Sequence, residues 1–514
     1  MSVTRSGLEL GLRESSFLMP AMILMGVAVA TVLGAFLLQI DVRGSYPYLF
    51  LLPWTIALIA VFALPSGILF YLGKFKLHDP IVFATWTYFL PAFGIGGIIL
   101  AFGWSQPYFL EFIEDPGYDL PLTVSLIALG FLSLAAGYFL PIGYKLGTLV
   151  GRVIPDRDYI PSTSVGPSLL LLFSGILISL AAFFLGIIGF QKVVETGSFD
   201  GLIYLTTMYW MEATFILWCF VFSQRGFDVR TGTIAILLLL TSFAKAMLLG
   251  NRGSLLQLFV IVVIAYSLSG RKLDIKRTVW AAAMLFVCLL VGVIYGTTFR
   301  TIKGTEDQVS ADEYAGSIFD TLERVSEADN LSTLQFGMAT LAERLEAVSS
   351  VGVVVSRHEQ LQPYEESYGL DGNIWKDLAT SFVPRMIWKD KPVASDPRKY
   401  SELYFDYGEN SFTVTPIGDL LRNFGIIGIA IGMFILGIIL RLIYRALIED
   451  RPFVIWRGAI YFMLLTAISY EGFYGTIISL IVKIGLIAAI GVIIVNVFSR
   501  KLPNPENTRT ALAE

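Results

Sequence analysis

The chain has 514 residues, of which 55% are hydrophobic and only 15% charged, with a net charge of −4. A soluble chain of this length carries about a quarter charged residues. Here the apolar residues gather in blocks of roughly 20, long enough to cross a hydrocarbon core of about 30 Å. An ordinary soluble enzyme is thereby excluded, and the fold class expected is an all-α polytopic membrane protein. Cys219 and Cys288, the only cysteines, both lie inside apolar blocks. They propose neither a disulfide framework nor a metal site.

Twelve blocks follow in chain order: 17–39, 49–72, 81–103, 122–143, 168–190, 204–222, 231–249, 253–269, 278–298, 423–444, 453–471 and 474–498. The first lacks a small-residue cleavage site and reads as a retained span. Each block should be helical, because in lipid only a helix satisfies its own backbone groups within one segment. The connections set the orientation. One set carries Arg5, Arg13, Lys74, Lys76, Lys145, Arg152, Arg157, Arg225, Arg230, Arg271, Lys272, Lys276, Arg277, Arg441, Arg445, Arg451, Arg500, Lys501 and Arg509. The alternate short connections carry only Arg43, Lys192 and Arg252. That bias places both termini in the cytoplasm of a multi-pass plasma-membrane protein.

The division expected is spans one to nine in 1–298, an extracytoplasmic loop at 299–419, spans ten to twelve in 420–498 and a cytoplasmic tail at 499–514. A loop of about 120 residues is far longer than a connector and is usually functional. Leu334, Met338, Leu341, Leu345 and Val348 recur every three or four residues, predicting a loop helix with one apolar stripe. From Arg385 to Lys399 the acidic loop turns basic: Arg385, Lys389, Lys391, Arg398 and Lys399 face only Asp390 and Asp396. A cationic patch there suits an anionic ligand, or else bridges to its acidic neighbours.

Arg252 in GNRGS, Arg300 after GTTF and Arg422 in TPIGDLLRNFG break the positive-inside trend at span ends. Arginine grips phosphate with two parallel hydrogen bonds, so these residues and the Arg385–Lys399 patch would suit a lipid diphosphate at headgroup depth. Snorkelling explains any one of them singly. Glu212, Lys245 and Lys483 fall inside spans, where ionisable residues are expensive and functional by default. A structural bridge from Glu212 to Lys245 or Lys483 is the alternative.

GLDGNIWKDLATSFVPRMIWKDKP followed by TPIGDLLRNFGIIGIAIGMF resembles the Wzy-type polysaccharide repeat-unit polymerases of the O-antigen polymerase superfamily. Members carry a PR-x-x-W-x-x-KP-like element in a large outer loop and a TP-x-G-x-x-x-x-NFG-like entry to the next span. The likeness covers about 250–435 and includes GNRGS. It implies a glycosyltransferase with its active site facing outside. That enzyme joins polyprenyl-diphosphate-linked oligosaccharides, works without cofactor or metal, and has a flippase and a chain-length regulator as partners. Arg252, Arg300, Arg385, Lys391 and Arg422 would bind the diphosphate, Pro384 and Pro392 would stiffen the clamp, and Trp388 would face a sugar. For the base, His358 is the only histidine of the outer loop, and histidine is the residue type best suited to proton transfer near neutral pH; Asp371 and Glu365 compete with it, and Asp41 more distantly.

A glycan ligase shares this chemistry. A flippase or transporter is the rival class, though the two halves show no internal repeat and the spans hold few polar residues. Asp156-Arg157-Asp158 reads as DxD, but a short cytoplasmic linker cannot house a nucleotide-sugar domain. The basic cytoplasmic connections follow from topology, and no nucleic-acid partner is implied.

Overall fold

The structure is a computed structural model. It describes residues 46–105, 107–157, 165–188, 199–224, 228–249, 252–270, 283, 291–292, 294–296, 298–299, 302, 311–327, 330–381, 383, 387–388, 390–391, 395–408, 412 and 414–501. Among these residues the protein is all-helical. The helices are α1 (Leu52–Tyr71), α2 (Pro80–Ala101), α3 (Pro116–Phe139), α4 (Pro141–Val153), α5 (Val165–Phe184), α6 (Asp200–Thr206), α7 (Tyr209–Ser223), α8 (Val229–Leu249) and α9 (Arg252–Leu268). The loop contributes α10 (Ala311–Glu327), α11 (Asn330–Leu345), α12 (Val348–Glu365), α13 (Asn373–Thr380) and α14 (Pro397–Phe405). The chain closes with α15 (Pro416–Leu447), α16 (Ile455–Ala467) and α17 (Tyr474–Lys501).

Eight helices among the described residues are long and apolar enough to cross a membrane, with Leu256–Leu268 and Ile455–Ala467 as shorter apolar helices. Each coincides with an expected span. The block at 17–39 lies outside the described residues, as does most of 278–298. The outward faces carry apolar stripes at helical spacing, such as Leu170, Phe173, Leu177 and Phe184 on α5, and Ile427, Ile431 and Ile435 on α15. Exposed stripes of that kind would be a liability in water and suit contact with lipid. This is a membrane protein.

The expected span 122–143 divides. Leu140 turns extended before Pro141, which opens α4 as a separate amphipathic helix. Together α3 and α4 run beside α15, and Gly130, Gly137, Gly143 and Gly147 meet Ile429, Phe434, Ile438 and Leu442 in ascending order, so the strips are parallel. A Cβ at Gly137 would lie 2.0 Å from the Phe434 carbonyl oxygen, so only glycine lets the backbones come this close. Parallel pairing gathers Lys145, Arg152, Arg441, Arg445 and Arg451 at one end, the basic end. There Arg441 pairs with Glu449 at 2.8 Å and Arg451 with Asp156 at 2.7 Å. Asp156 also holds the fully buried Arg457. Asp156 of the DxD-like triplet is thus a structural brace between α4 and α16, and Asp158 lies outside the described residues.

The opposite end, the loop end, is covered by the loop helices. Met338 and Ala342 of α11 are buried against Ile99 of α2, with Leu341, Leu345, Ile95 and Trp104 around them. The side chain of Leu334 lies outside the described residues, and Met338, Leu341 and Leu345 of the expected stripe dock on the bundle, with one correction. The helix stops at Leu345, and Val348 opens α12, fully buried. The reason is close approach: the Leu345 carbonyl oxygen and Glu346 Cα sit 2.8 and 2.9 Å from where a Cβ would stand on Gly96 of α2. The Ala347 N–H then donates to the Ala92 carbonyl at 3.2 Å.

This junction buries a carboxylate. Glu346 accepts hydrogen bonds from the Ser349 N–H at 2.8 Å and the Ser349 hydroxyl, yet burial still pushes its pKa from 4.5 to about 7. A carboxyl raised in the folded state contributes stability that is complete below pH 4.5 and lost as the pH rises through about 7. The span of that loss is about 3 kcal/mol. Thermal melts of the detergent-solubilised protein should therefore fall between pH 5 and 8, and Glu346→Gln should flatten that dependence. A variant that melts with the same pH slope as the parent would refute the assignment.

Candidate functional site

The polar site lies at the loop end, where α12, α13 and α14 meet the starts of α15 and α17. The two quoted motifs build it. In GLDGNIW, Gly369 (φ 70°) and Gly372 (φ 56°) take the left-handed backbone that reverses the chain after α12. Between them Leu370 is buried and Asp371 exposed. In TPIGDLLRNFG, Thr415 caps α15 by accepting from the Gly418 N–H at 3.1 Å, and Pro416 fills the first helical position. Gly425, at φ 67° and ψ −162°, breaks α15 two turns later. Those first two turns belong to the site, and the remainder forms the span.

Asp419 and Arg422 share those turns and are both buried. The Arg422 guanidinium reaches Asp419 at 2.7 Å and Glu365 of α12 at 3.0 Å, and donates to the Leu370 carbonyl at 3.1 Å and to Asn373 Oδ1 at 2.7 Å. Asp419 Oδ2 accepts from the Tyr474 N–H at 2.8 Å, at the start of α17. Tyr404 of α14 donates to Glu365 at 2.7 Å. Burial raises the Glu365 carboxyl, while the Arg422 charge and the Tyr404 hydroxyl pull it back. Five segments are therefore tied together by a guanidinium whose two Nη groups face protein acceptors, while its buried Nε has no hydrogen-bond partner among the described residues. Arg422 is only 4% exposed.

A second cluster adjoins the first through Asn373. The Asn373 amide donates to Ser395 Oγ at 2.8 Å and to Asp419 at 3.3 Å, and the Ser395 hydroxyl donates in turn to Asp377 Oδ2. Thr476 of α17 donates to the same oxygen at 3.2 Å. Asp377 packs closely on Gly475, where a Cβ would lie 2.9 Å from its own. Burial pushes the Asp377 carboxyl upward, opposed by both hydroxyls and by the charge of Lys483 in α17. Lys391 comes near enough to act on Lys483 electrostatically, and its Nζ donates to the Val383 carbonyl at 3.2 Å. The charge of Lys483 thus acts on this partly buried carboxylate, and Lys391 acts on Lys483. Around them Trp375, Ile387, Trp388 and Phe424 are exposed, Trp388 by 41%.

Of the candidates read from sequence, Lys391 and Arg422 both fall in these clusters, Arg422 against carboxylates rather than open to a ligand. Trp388 starts the turn that ends at Lys391, whose N–H donates to the Trp388 carbonyl at 3.2 Å. His358 lies on α12 two turns before Glu365, with its ring nitrogen bonded to the Val354 and Val355 carbonyls of its own helix. Asp371 is exposed at the turn. Arg300, Arg385 and Asp41 lie outside the described residues, as does the side chain of Arg252, which opens α9. The bridge from Glu212 to Lys245 or Lys483 is not made. Neither Glu212 oxygen has a hydrogen-bond partner among the described residues, and the carboxyl rests on Gly491 of α17. Among the described residues, no group of three or more His, Cys, Asp or Glu side chains could hold a metal ion.

Asp377, Asp419 and Asn373 were missed by sequence reasoning, although all three sit inside the quoted motifs. The cations stand out by breaking the positive-inside trend, and the acids beside them carry no such mark. The spacing Asn373–Asp377 and Asp419–Arg422–Asn423 puts each set on one helix face, a signal that was available.

These features define an all-helical membrane protein whose long inter-span loop folds back onto one end of the bundle and closes a carboxylate–cation site there. Residues 157–488 match the family described as "Domain of unknown function (DUF8712)", and the chain belongs to that family. No curated protein and no solved structure matches it.

Proposed function

We propose that the protein is a membrane glycosyltransferase that polymerises lipid-diphosphate-linked oligosaccharide repeat units on the outer face of the membrane. The observation that carries this reading is the partly buried Asp377 carboxylate, bonded by Ser395 of the loop and Thr476 of α17 where the loop rests on a span, with the charge of Lys483 acting on it. The reaction needs a base for an attacking hydroxyl and positive charge for a departing diphosphate. Asp377 takes the proton from the acceptor sugar hydroxyl, whose oxygen attacks the anomeric carbon of the donor. The bond from that carbon to the diphosphate oxygen breaks, and its electron pair leaves with the diphosphate. Lys391 and Lys483 balance the charge that develops there, and Arg385, in the same loop stretch as Lys391, is assigned to the same task. Trp388 and Trp375 offer faces to the sugar rings at the rim. Arg422 holds the frame, bound to Glu365 and Asp419, rather than the substrate.

Deleting the gene and comparing surface glycans tests the reading. Single-repeat products in place of long chains are expected. Unattached polymer would assign a ligase instead, and lipid-linked units accumulating on the inner face would assign a flippase.

A further inference from the structure

Glu212 and Lys245 both lie in spans, and the structure separates them. Lys245 belongs to α8, three residues before Leu248, whose carbonyl accepts from Tyr314 of the loop helix α10 at 2.7 Å. The ammonium therefore sits about one turn below the loop end. It lies 5.1 Å from the centroid of Trp210 on α7. A small cavity opens here between α7, α8 and α9, lined by Trp210, Thr214, Ser242, Lys245 and Gln257 with apolar neighbours.

The lining is rich in donors and holds no acid. Lys245 makes no ion pair among the described residues. The indole N–H of Trp210 is buried and has no acceptor among them either. The Gln257 amide nitrogen meets only the sulfur of Met211, at 2.7 Å, a weak acceptor. Three N–H-bearing side chains thus line a space that no carboxylate lines, because Glu212 points to Gly491 on another face of α7. An ammonium in a span is expensive unless it serves an anion. Beside it α8 presents Ile236, Leu240 and Phe243 outward. Those exposed residues form an apolar track along which a lipid tail can lie.

We propose that this cavity binds the phosphate of a lipid that enters from the bilayer, with Lys245, Trp210 and Gln257 as donors and the tail along α8. A reaction between two lipid-linked glycans needs two such anchors, and this one would hold the second. The identity of that lipid rests on the transferase reading. Binding of a lipid phosphate does not.

Native mass spectrometry of the full-length protein in detergent tests the proposal with three probes: farnesyl diphosphate, dioleoylphosphatidylglycerol and uncharged farnesol. The parent protein should carry two farnesyl diphosphates. Lys245→Met should carry one, with affinity at the lost site reduced at least tenfold, and Lys245→Arg should carry two; a hydrogen bond to a charged group, plus the charge itself, accounts for about that factor. If dioleoylphosphatidylglycerol competes equally, the site takes phosphate lipids generally. If it does not, the site selects the diphosphate carrier. An unchanged count in Lys245→Met, or farnesol binding as well as farnesyl diphosphate, would overturn the proposal. Trp210→Phe keeps the ring and removes the N–H, and should weaken the same site about tenfold if Lys245→Met does not fold. Lys483→Met separates the two readings: if it leaves the count unchanged while Lys245→Met lowers it, the transferase site fails and this site stands.

Discussion

Asp377→Asn should lower glycan transfer by about 10²- to 10⁴-fold, the range a positioned general base supplies. The substitution keeps the shape of the side chain and its packing on Gly475, and Ser395 and Thr476 still find an oxygen there. What it removes is the ability to take a proton. Burial raises the carboxyl of Asp377, which brings its proton affinity closer to that of the hydroxyl it must serve. Expression and melting temperature should stay near those of the parent. The raised carboxyl also gives the activity a pH limb: activity should fall as the pH drops through the Asp377 pKa, because only the ionised form acts as base. Purified Asp377→Asn that makes polymer at the parent rate would remove Asp377 from the reaction.

Arg422→Met should act on the fold instead. It leaves Glu365 and Asp419 buried, with the ion pairs at 3.0 and 2.7 Å gone, and orphaning a buried charge costs about 3–5 kcal/mol. The five segments tied by this guanidinium include the start of α17, through Asp419 and the Tyr474 N–H. The variant should be poorly recovered as a monodisperse protein from detergent. Adding Asp419→Asn, which removes one orphaned charge, should restore part of the loss, since the two positions share one network. An Arg422→Met protein that is fully folded but inactive would assign Arg422 to the substrate, as the sequence motif alone suggests.

That contrast marks where sequence reading stops. Span positions are legible because apolar length is a one-dimensional property, so α8 and α17 begin and end within a few residues of expectation, whereas α5 ends earlier and α15 starts earlier than expected. The motif geometry is legible too, since Thr415, Pro416, Gly369, Gly372 and Gly425 each announce a backbone need. Pairing is not. Arg422 meets Glu365 across a gap of many residues, and Lys245 finds a tryptophan ring where Glu212 seemed the natural partner in charge. A cation at a span end looks the same in sequence whether it faces phosphate or carboxylate. The break between Leu345 and Val348 was hidden for a related reason: it follows from the backbone of another helix, at Gly96, and not from the local pattern.

The most direct measurement is chain length after purified protein in liposomes is given a synthetic lipid-diphosphate-linked repeat unit. The account predicts a ladder of repeat multiples, one lipid diphosphate released per new bond, and only the starting unit with Asp377→Asn. Starting unit alone with the parent protein, or a ladder that persists unchanged in Asp377→Asn, would contradict it.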